Sequence, residues 1–271
     1  MTAALDLQRT FDARHPVALI TGSGSPRVGR VIAERFASRG CDIALHSRND
    51  DDELHHAREA LIETSGRRIE SIAGDLADEE VADNLPDRAH AIFGRLDIVV
   101  TSAAIWHPTP LGEITADEIR RYFDVNALST FLIARSAGRI MASQPCGGAV
   151  VTISDWAVDR PYADHAAYFP SKAAVEMMTR SLAVELAQQN AAIRVNCVRP
   201  GPVLLTDAVP DADRRRLAEA SLSGRVGTPE AVAHAVEFLA ANDFVTGVCL
   251  NVDGGRSIYA PDGLQVGLNT G

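Results

Sequence analysis

Tyr168 and Lys172 stand four residues apart in the string Tyr168-Phe169-Pro170-Ser171-Lys172. At the start of an amphipathic helix, that spacing puts a phenol and an ammonium on one face, a turn apart. An ammonium beside a phenol stabilises phenolate and draws the tyrosine pKa down from about 10, which suits a proton donor in reductions. Thirteen residues before the tyrosine stands Asp155. Ionised, it would accept hydrogen bonds and raise the tyrosine pKa; protonated through burial, it would donate one. Capping of the following loop is the third reading of Asp155.

A second cluster reads as a phosphate cradle. Thr21-Gly22-Ser23-Gly24-Ser25-Pro26-Arg27-Val28-Gly29 follows the apolar run at 16–21 and opens a helical pattern near 27–39. Glycines in such a turn let the backbone approach a pyrophosphate on the helix N-terminus, with Gly22, Gly24, Arg27 and Val28 as candidate contacts. The Gly-x-Gly-x-x-Gly spacing is not met, because Arg27 occupies the third glycine position. A strand from 41 completes the βαβ unit the motif requires. Its end reads His46-Ser47-Arg48-Asn49, with no acid until Asp50. A carboxylate there would repel a ribose 2′-phosphate, whereas Ser47 and Arg48 would bind it. The expected cofactor is therefore NADPH. Asp75, in Gly74-Asp75-Leu76, is placed either to meet the adenine edge or to cap the next helix.

Such residues need a scaffold that brings distant loops to one edge. Short β-branched runs near 16–21, 41–46, 69–74, 96–101, 149–154, 193–198 and 247–251 alternate with helical patterns. The helical patterns lie near 27–39, 51–65, 78–93, 115–142, 165–189, 211–220 and 229–241. This alternation predicts the α/β class: a single-domain Rossmann-type doubly wound parallel sheet of about seven strands with helices on both faces. The domain is read over 16–256, with 1–15 a flexible extension and 257–271 a tail. The irregular stretch 200–226 follows a late strand, where an excursion covers the ligand-binding edge, and is read as a candidate lid.

Composition narrows the partners. The 271 residues carry 26 Lys and Arg against 36 Asp and Glu, for a net charge of -10. No basic run interleaves with aromatics, so nucleic acid is not an expected partner. No apolar stretch approaches the roughly 18 residues of a membrane span, and the first fifteen residues lack a secretory apolar core. Cys41, Cys146, Cys197 and Cys249 show no Cys-x-x-Cys and no His–Cys pairing, and three of them lie in strand-like stretches. A reduced, cytoplasmic protein acting on a small molecule, without a metal, is the expectation.

Six motifs in chain order resemble the short-chain dehydrogenase/reductase family over about residues 16 to 256. They are the Thr21-Gly22 loop, Gly74-Asp75-Leu76, Asp124-Val125-Asn126, Tyr168-x-x-x-Lys172, Arg199-Pro200-Gly201-Pro202 and Asp253-Gly254-Gly255. The resemblance implies Tyr168 as general acid and Lys172 as binder of the nicotinamide ribose. Asn126 would support a relay water near Lys172, or else serve as a packing residue of a long helix. Pro200, Gly201 and Val203 would hold the nicotinamide carboxamide, with Thr206 reaching the pyrophosphate. A homo-oligomer, dimer or tetramer, packed through the helices at 115–142 and 165–189 is also implied; Ala173, Ala174, Met177 and Met178 form a compatible stripe.

Two departures stand out. The family's Asn-Asn-Ala-Gly is replaced by Thr101-Ser102-Ala103-Ala104, where Ser102 and Ala103 are still small enough for close cofactor approach. The family's substrate-orienting serine, thirteen residues before the tyrosine, is Asp155, and Ser154 would face the other way in a regular strand. Asp155, Arg27 before Val28-Gly29, and the stretch Ile105 to Leu111 resemble pteridine reductases and dihydromonapterin reductases. Trp106 stands where a ring would sandwich a flat pterin, or where a large apolar residue would anchor a loop. The implied activity is hydride transfer to a C=O or C=N of a small, pterin-like substrate, whose amino-pyrimidine edge Asp155 would bind. A generic ketone reductase or alcohol dehydrogenase is the second reading. A non-catalytic NADP-binding regulator is the third, and the Tyr168–Lys172 pair argues against it.

Overall fold

Seven strands pair in parallel in the order β3-β2-β1-β4-β5-β6-β7. They are β1 (Val17–Ile20), β2 (Asp42–Ser47), β3 (Ile69–Ala73), β4 (Ile98–Thr101), β5 (Gly148–Ile153), β6 (Ile193–Pro200) and β7 (Cys249–Val252). The computed structural model describes residues 6–203 and 209–259. Every residue of β1, β4 and β5 is buried, as strands covered on both faces must be. All seven predicted strands are present, with small shifts at their ends.

The helices are α1 (Leu7–Thr10), α2 (Val28–Ser38), α3 (Asp52–Ser65), α4 (Glu79–Phe93), α5 (Ala116–Tyr122), α6 (Ser129–Ala142), α7 (Tyr168–Gln189), α8 (Asp211–Glu219) and α9 (Pro229–Ala241). Successive strand residues point to opposite faces. Ala18 and Ile20 of β1 join a core with α2, α3 and α9, while Val17 and Leu19 join one with α4, α6 and α7. A third, smaller apolar cluster lies apart from both: Tyr122, Trp156, Ala157, Ala167, Tyr168 and Phe169. Asp51 and Asp78 cap α3 and α4 by accepting backbone N–H bonds, which stops each helix at a defined residue beside the carboxyl edge. Strand order reverses between β1 and β4, so the loops after these strands diverge and leave a crevice.

Two expectations change. Residues 6–15 are not a flexible extension. Asp6 caps α1, Leu7 and Phe11 are 2% and 1% exposed, and Arg95 donates to the Phe11 carbonyl at 2.9 Å. The helix expected over 115–142 is interrupted by a π-helical turn at Phe123–Leu128. An inserted residue shifts the register by part of a turn and leaves a local widening, a device common beside functional sites. Asn126 lies in that turn. Among the described residues, no helix is long and apolar enough to cross a membrane.

Candidate active site

The carboxyl ends of the strands open into one cleft of ≈ 1450 Å³, larger than a typical pocket for a single small molecule. The end expected to take the nucleotide is built by the loops after β1 to β4. The Ser102 hydroxyl donates to the Thr21 carbonyl at 2.6 Å, and Ala103 N–H donates to Thr21 Oγ1 at 3.0 Å, so the first and fourth loops are tied together. These bonds answer how the Thr101-Ser102 departure is accommodated. Gly22 sits at φ +65, and a Cβ there would lie 2.9 Å from Ala103 Cα. A Cβ on Gly29 would meet the Gly22 carbonyl at 2.7 Å, so Gly29 supplies the close helix approach that Arg27 was expected to have displaced. Arg30, in the first turn of α2, donates to the Ser23 carbonyl at 2.8 Å and to the Gly24 carbonyl. The resulting cradle has room only for backbone on the protein side, which fits a pyrophosphate.

His46 holds three of these loops in place. Its Nδ1 accepts from Gly22 N–H at 3.2 Å, so Nε2 carries the proton and donates to the Gly74 carbonyl at 3.0 Å. Burial pushes its pKa down to about 4, keeping the ring neutral. Ser47 and Arg48 line the cleft, and among the described residues neither Arg27 nor Arg48 has an ion-pair partner. Asp50 is turned to His55 at 3.2 Å. Asp51 and Glu53 also line the cleft, but Asp51 accepts from Leu54 N–H and Glu53 from the Ser25 hydroxyl. Asp75 accepts from Ala77 N–H at 3.0 Å and pairs with Arg121 at 3.3 Å; the cap of α4 is Asp78, so the capping alternative for Asp75 does not hold.

At the other end, Tyr168 is the first residue of α7 and Lys172 lies one turn on, both 5% exposed or less. Pro170 fits in the first turn, where its missing N–H is not needed. The Tyr168 hydroxyl donates to Asp155 Oδ2 at 3.0 Å, and Asp155 Oδ1 accepts from Ala157 N–H at 2.8 Å. Asp155 therefore caps the turn Trp156–Val158 and also touches the tyrosine. Burial pushes its carboxyl above the usual range against the pull of the Ala157 bond, Tyr168 and Lys172.

The tyrosine pKa moves opposite to the sequence expectation. Burial, then the charge and hydrogen bond of Asp155, push the Tyr168 phenol well above its ordinary value. Lys172 does not reverse this: its Nζ donates to the Ile153 carbonyl at 2.9 Å and lies 5.9 Å from the Tyr168 ring centre. Complete burial brings Lys172 itself down to about 8, although Asp155 opposes the shift. Ser154 faces away from Tyr168, donating to Glu176 at 2.9 Å, and Glu176 pairs with Arg199 at 2.9 Å.

A protein-family model described as enoyl-(acyl carrier protein) reductase matches residues 26–257. The chain belongs to the short-chain dehydrogenase/reductase family. It is 33% identical over 248 residues to L-rhamnose 1-dehydrogenase (NAD(P)(+)) of Sphingomonas sp. (strain SKA58), covering 89% of this chain and 95% of the relative. It is 33% identical over 264 residues to 3beta-hydroxysteroid dehydrogenase 1 of Eggerthella lenta, covering 94% and 98%. The crystal structure of acetoin dehydrogenase from Enterobacter cloacae superposes with a TM-score of 0.80 at 31% identity, over 91% of this chain and 97% of that one. A nicotinamide cofactor and an oxidoreductase activity follow from membership of the family.

Not every expected residue reaches the cleft of this short-chain dehydrogenase/reductase. Gly22, Arg27, Val28, Leu76, Ala103, Trp106, Pro200, Gly201 and Val203 line it, together with the catalytic candidates Asp155, Tyr168 and Lys172. Gly24 lies behind Ser47, where a Cβ would come within 2.6 Å of the serine Cβ. Asn126 is buried behind the wall, exchanging hydrogen bonds with the backbone of Ile105 and donating to Ser171 at 3.1 Å. Its side chain is thus occupied in holding the loop after β4 to α7. Thr206 lies outside the described residues. The sequence reading missed Arg160, Tyr162, Leu217, Arg256 and Tyr259, which line the substrate end. Their only signal was proximity in sequence to known motifs: Arg160 and Tyr162 lie between Asp155 and Tyr168, and Arg256 follows Asp253-Gly254-Gly255. Among the described residues, no group of three or more His, Cys, Asp or Glu could hold a metal ion.

Proposed function

We propose that this protein is an NADPH-dependent oxidoreductase that interconverts a carbonyl and an alcohol on a small molecule, with Tyr168 as its proton donor. The observation that carries this reading is the 3.0 Å hydrogen bond from Tyr168 to Asp155 beside buried Lys172. When bound, the nicotinamide supplies hydride to the substrate carbon or takes it back. The protein manages the proton. In reduction, Tyr168 gives its proton to the carbonyl oxygen and Lys172 stabilises the phenolate. Asp155, protonated, then donates across the same 3.0 Å contact in the opposite sense, returns a proton to Tyr168 and is left as carboxylate, to be reprotonated from solvent. Oxidation reverses the sequence, with ionised Asp155 as the final acceptor. Asn126 acts as a positioning residue, fixing the Ile105 loop against α7.

This relay fixes a pH dependence. Because Asp155 titrates above the usual carboxylate range, reduction should weaken as pH rises through that raised pKa, and oxidation should strengthen over the same interval. In Asp155→Asn both limbs should disappear, with a lower rate in each direction. A limb that survives in kcat/KM profiles of the variant would assign it to another group.

The cofactor preference rests on Ser47 and on Arg48, which has no ion pair among the described residues, at the end of β2, where Asp50 is turned to His55. Arg48→Ala should raise KM for NADPH by about tenfold or more while changing KM for NADH little. Equal effects on the two cofactors in steady-state kinetics would remove Arg48 from the 2′-phosphate.

Reduction of a pterin-like C=N is the second reading, supported by Asp155 and the half-exposed Trp106, which stacks on His165 at 4.9 Å. Asp155 Oδ1 accepts from Ala157 N–H and Oδ2 from the Tyr168 hydroxyl, so an amidine edge would share each oxygen with a bond already made. NADPH consumption with a ketone panel and with dihydropterins decides between the two; binding of NADPH without turnover on either would favour a regulator. The exposed Ala173 and Met177 on the outer side of α7 support association with a second copy.

A further inference from the structure

The substrate end of the cleft carries positive charge that the fold leaves uncompensated. Arg160 and Arg256 both line it, from chain segments brought together only by the fold. Arg256 lays its guanidinium over the Trp156 ring at 4.7 Å and donates to the Leu217 carbonyl at 3.2 Å, while its buried Nε has no partner. Arg160 donates to the carbonyls of Arg256, at 3.0 Å, and of Tyr259. Among the described residues, neither has an ion-pair partner. Other arginines of this protein divide in two: Arg67, Arg95 and Arg199 pair with Asp42, Asp97 and Asp159 at 2.6, 2.7 and 2.6 Å, while Arg30 and Arg194 spend their donors on backbone carbonyls away from any substrate space.

Neighbouring carboxylates are occupied. Asp159 is held by Arg199, and Asp155 by Tyr168 and Ala157. Asp253 spends one oxygen on Gly255 N–H at 2.9 Å and the other on Ser257 N–H at 2.7 Å. Burial, then the repulsion of Arg160, push the Arg256 pKa down against the weaker pull of Tyr162 and Asp253. The fork geometry of the two arginines matches a carboxylate or a phosphate, and the Trp156 face keeps the Arg256 fork from turning away.

We infer that the substrate carries an anionic group, a carboxylate or a phosphate, that Arg160 and Arg256 bind while the reducible carbon faces Tyr168. For turnover, this rests on the carbonyl-reductase reading; for binding, it stands alone. The test uses the whole protein saturated with NADPH, which covers the arginines of the nucleotide end. Calorimetry with benzoate and benzamide should show benzoate binding about tenfold or more tighter. Arg256→Gln and Arg160→Gln should lose that preference, while Arg256→Lys and Arg160→Lys, which keep the charge without the fork, should retain part of it. Equal affinity for benzoate and benzamide, or wild-type benzoate affinity in both Gln variants, overturns the inference. Should a Gln variant melt well below wild type, the matching Lys variant decides, and unchanged preference there counts against the fork. Displacement of benzoate by inorganic phosphate assigns the site to phosphates; its absence assigns it to carboxylates. A keto acid should then be reduced with lower KM than its methyl ester. Selective benzoate binding without reduction of either would keep the anion site and remove the carbonyl-reductase reading.

Discussion

Tyr168→Phe is expected to lower kcat for reduction by about 10²- to 10⁴-fold, the range a positioned proton donor contributes. Affinity for the nicotinamide cofactor should change little, because the hydroxyl's partner is Asp155 and not a nucleotide-loop residue. Folding should be close to neutral as well. The ring keeps its contacts with Tyr122 and Phe169, and Asp155, already shifted upward by burial, can take a proton in place of the lost bond. Steady-state kinetics and cofactor binding on the same preparation separate these effects. A kcat within tenfold of wild type would mean that Asp155 protonates the substrate directly and that Tyr168 only orients it.

Lys172→Met should move activity and stability in opposite directions. Lys172 is 3% exposed, and its pKa falls from 10.5 to about 8 in the folded protein. Below pH 8 the lysine is charged in both folded and unfolded chains, so burial of the cation destabilises the fold by a constant amount, about 3 kcal/mol for this shift. As pH rises from about 8 to 10.5 the folded protein releases its proton first, and the penalty fades. Met fills similar volume without charge, but leaves the Ile153 carbonyl without its donor, which returns about 1 kcal/mol. The variant should therefore be more stable by about 1–3 kcal/mol at pH 7, with a smaller gain at pH 10. Urea melts at the two pH values check this; a variant less stable at pH 7 would show that the bonds of Lys172 outweigh its desolvation. Reduction should fall by at least about 10²-fold, since no fixed cation remains to stabilise the Tyr168 phenolate.

The architecture was legible because parallel strands buried on both faces are short, β-branched and nearly continuous in apolar residues, as at Ile98–Thr101. The π-helical turn at Phe123–Leu128 was not, because one extra residue scarcely disturbs the apolar spacing on either side. Nor was α1. Leu7 and Phe11 stand four apart behind the capping Asp6, yet four residues cannot hold a helix without tertiary contacts, and these come from Arg95 and from the Ala241 carbonyl, which accepts from Thr10 at 3.0 Å. At the site, residue types and spacing gave the tyrosine, the lysine and the aspartate. The direction of the Tyr168 shift depends on burial and on which neighbour its hydroxyl reaches, and neither is written in a four-residue spacing. Arg160 and Arg256 were silent because nothing local says that their acids are missing.

The small cluster of Tyr122, Trp156, Ala157, Ala167, Tyr168 and Phe169 has a consequence for how this enzyme fails. It holds the tyrosine in aim, yet it shares no buried member with the two large cores that hold the sheet. Regions with few buried partners open at lower free energy than the sheet they rest on. Mild denaturant or heat should therefore disarm the protein while its strands remain paired. Loss of activity should then precede loss of the sheet, since the first requires only that a handful of rings lose their fit.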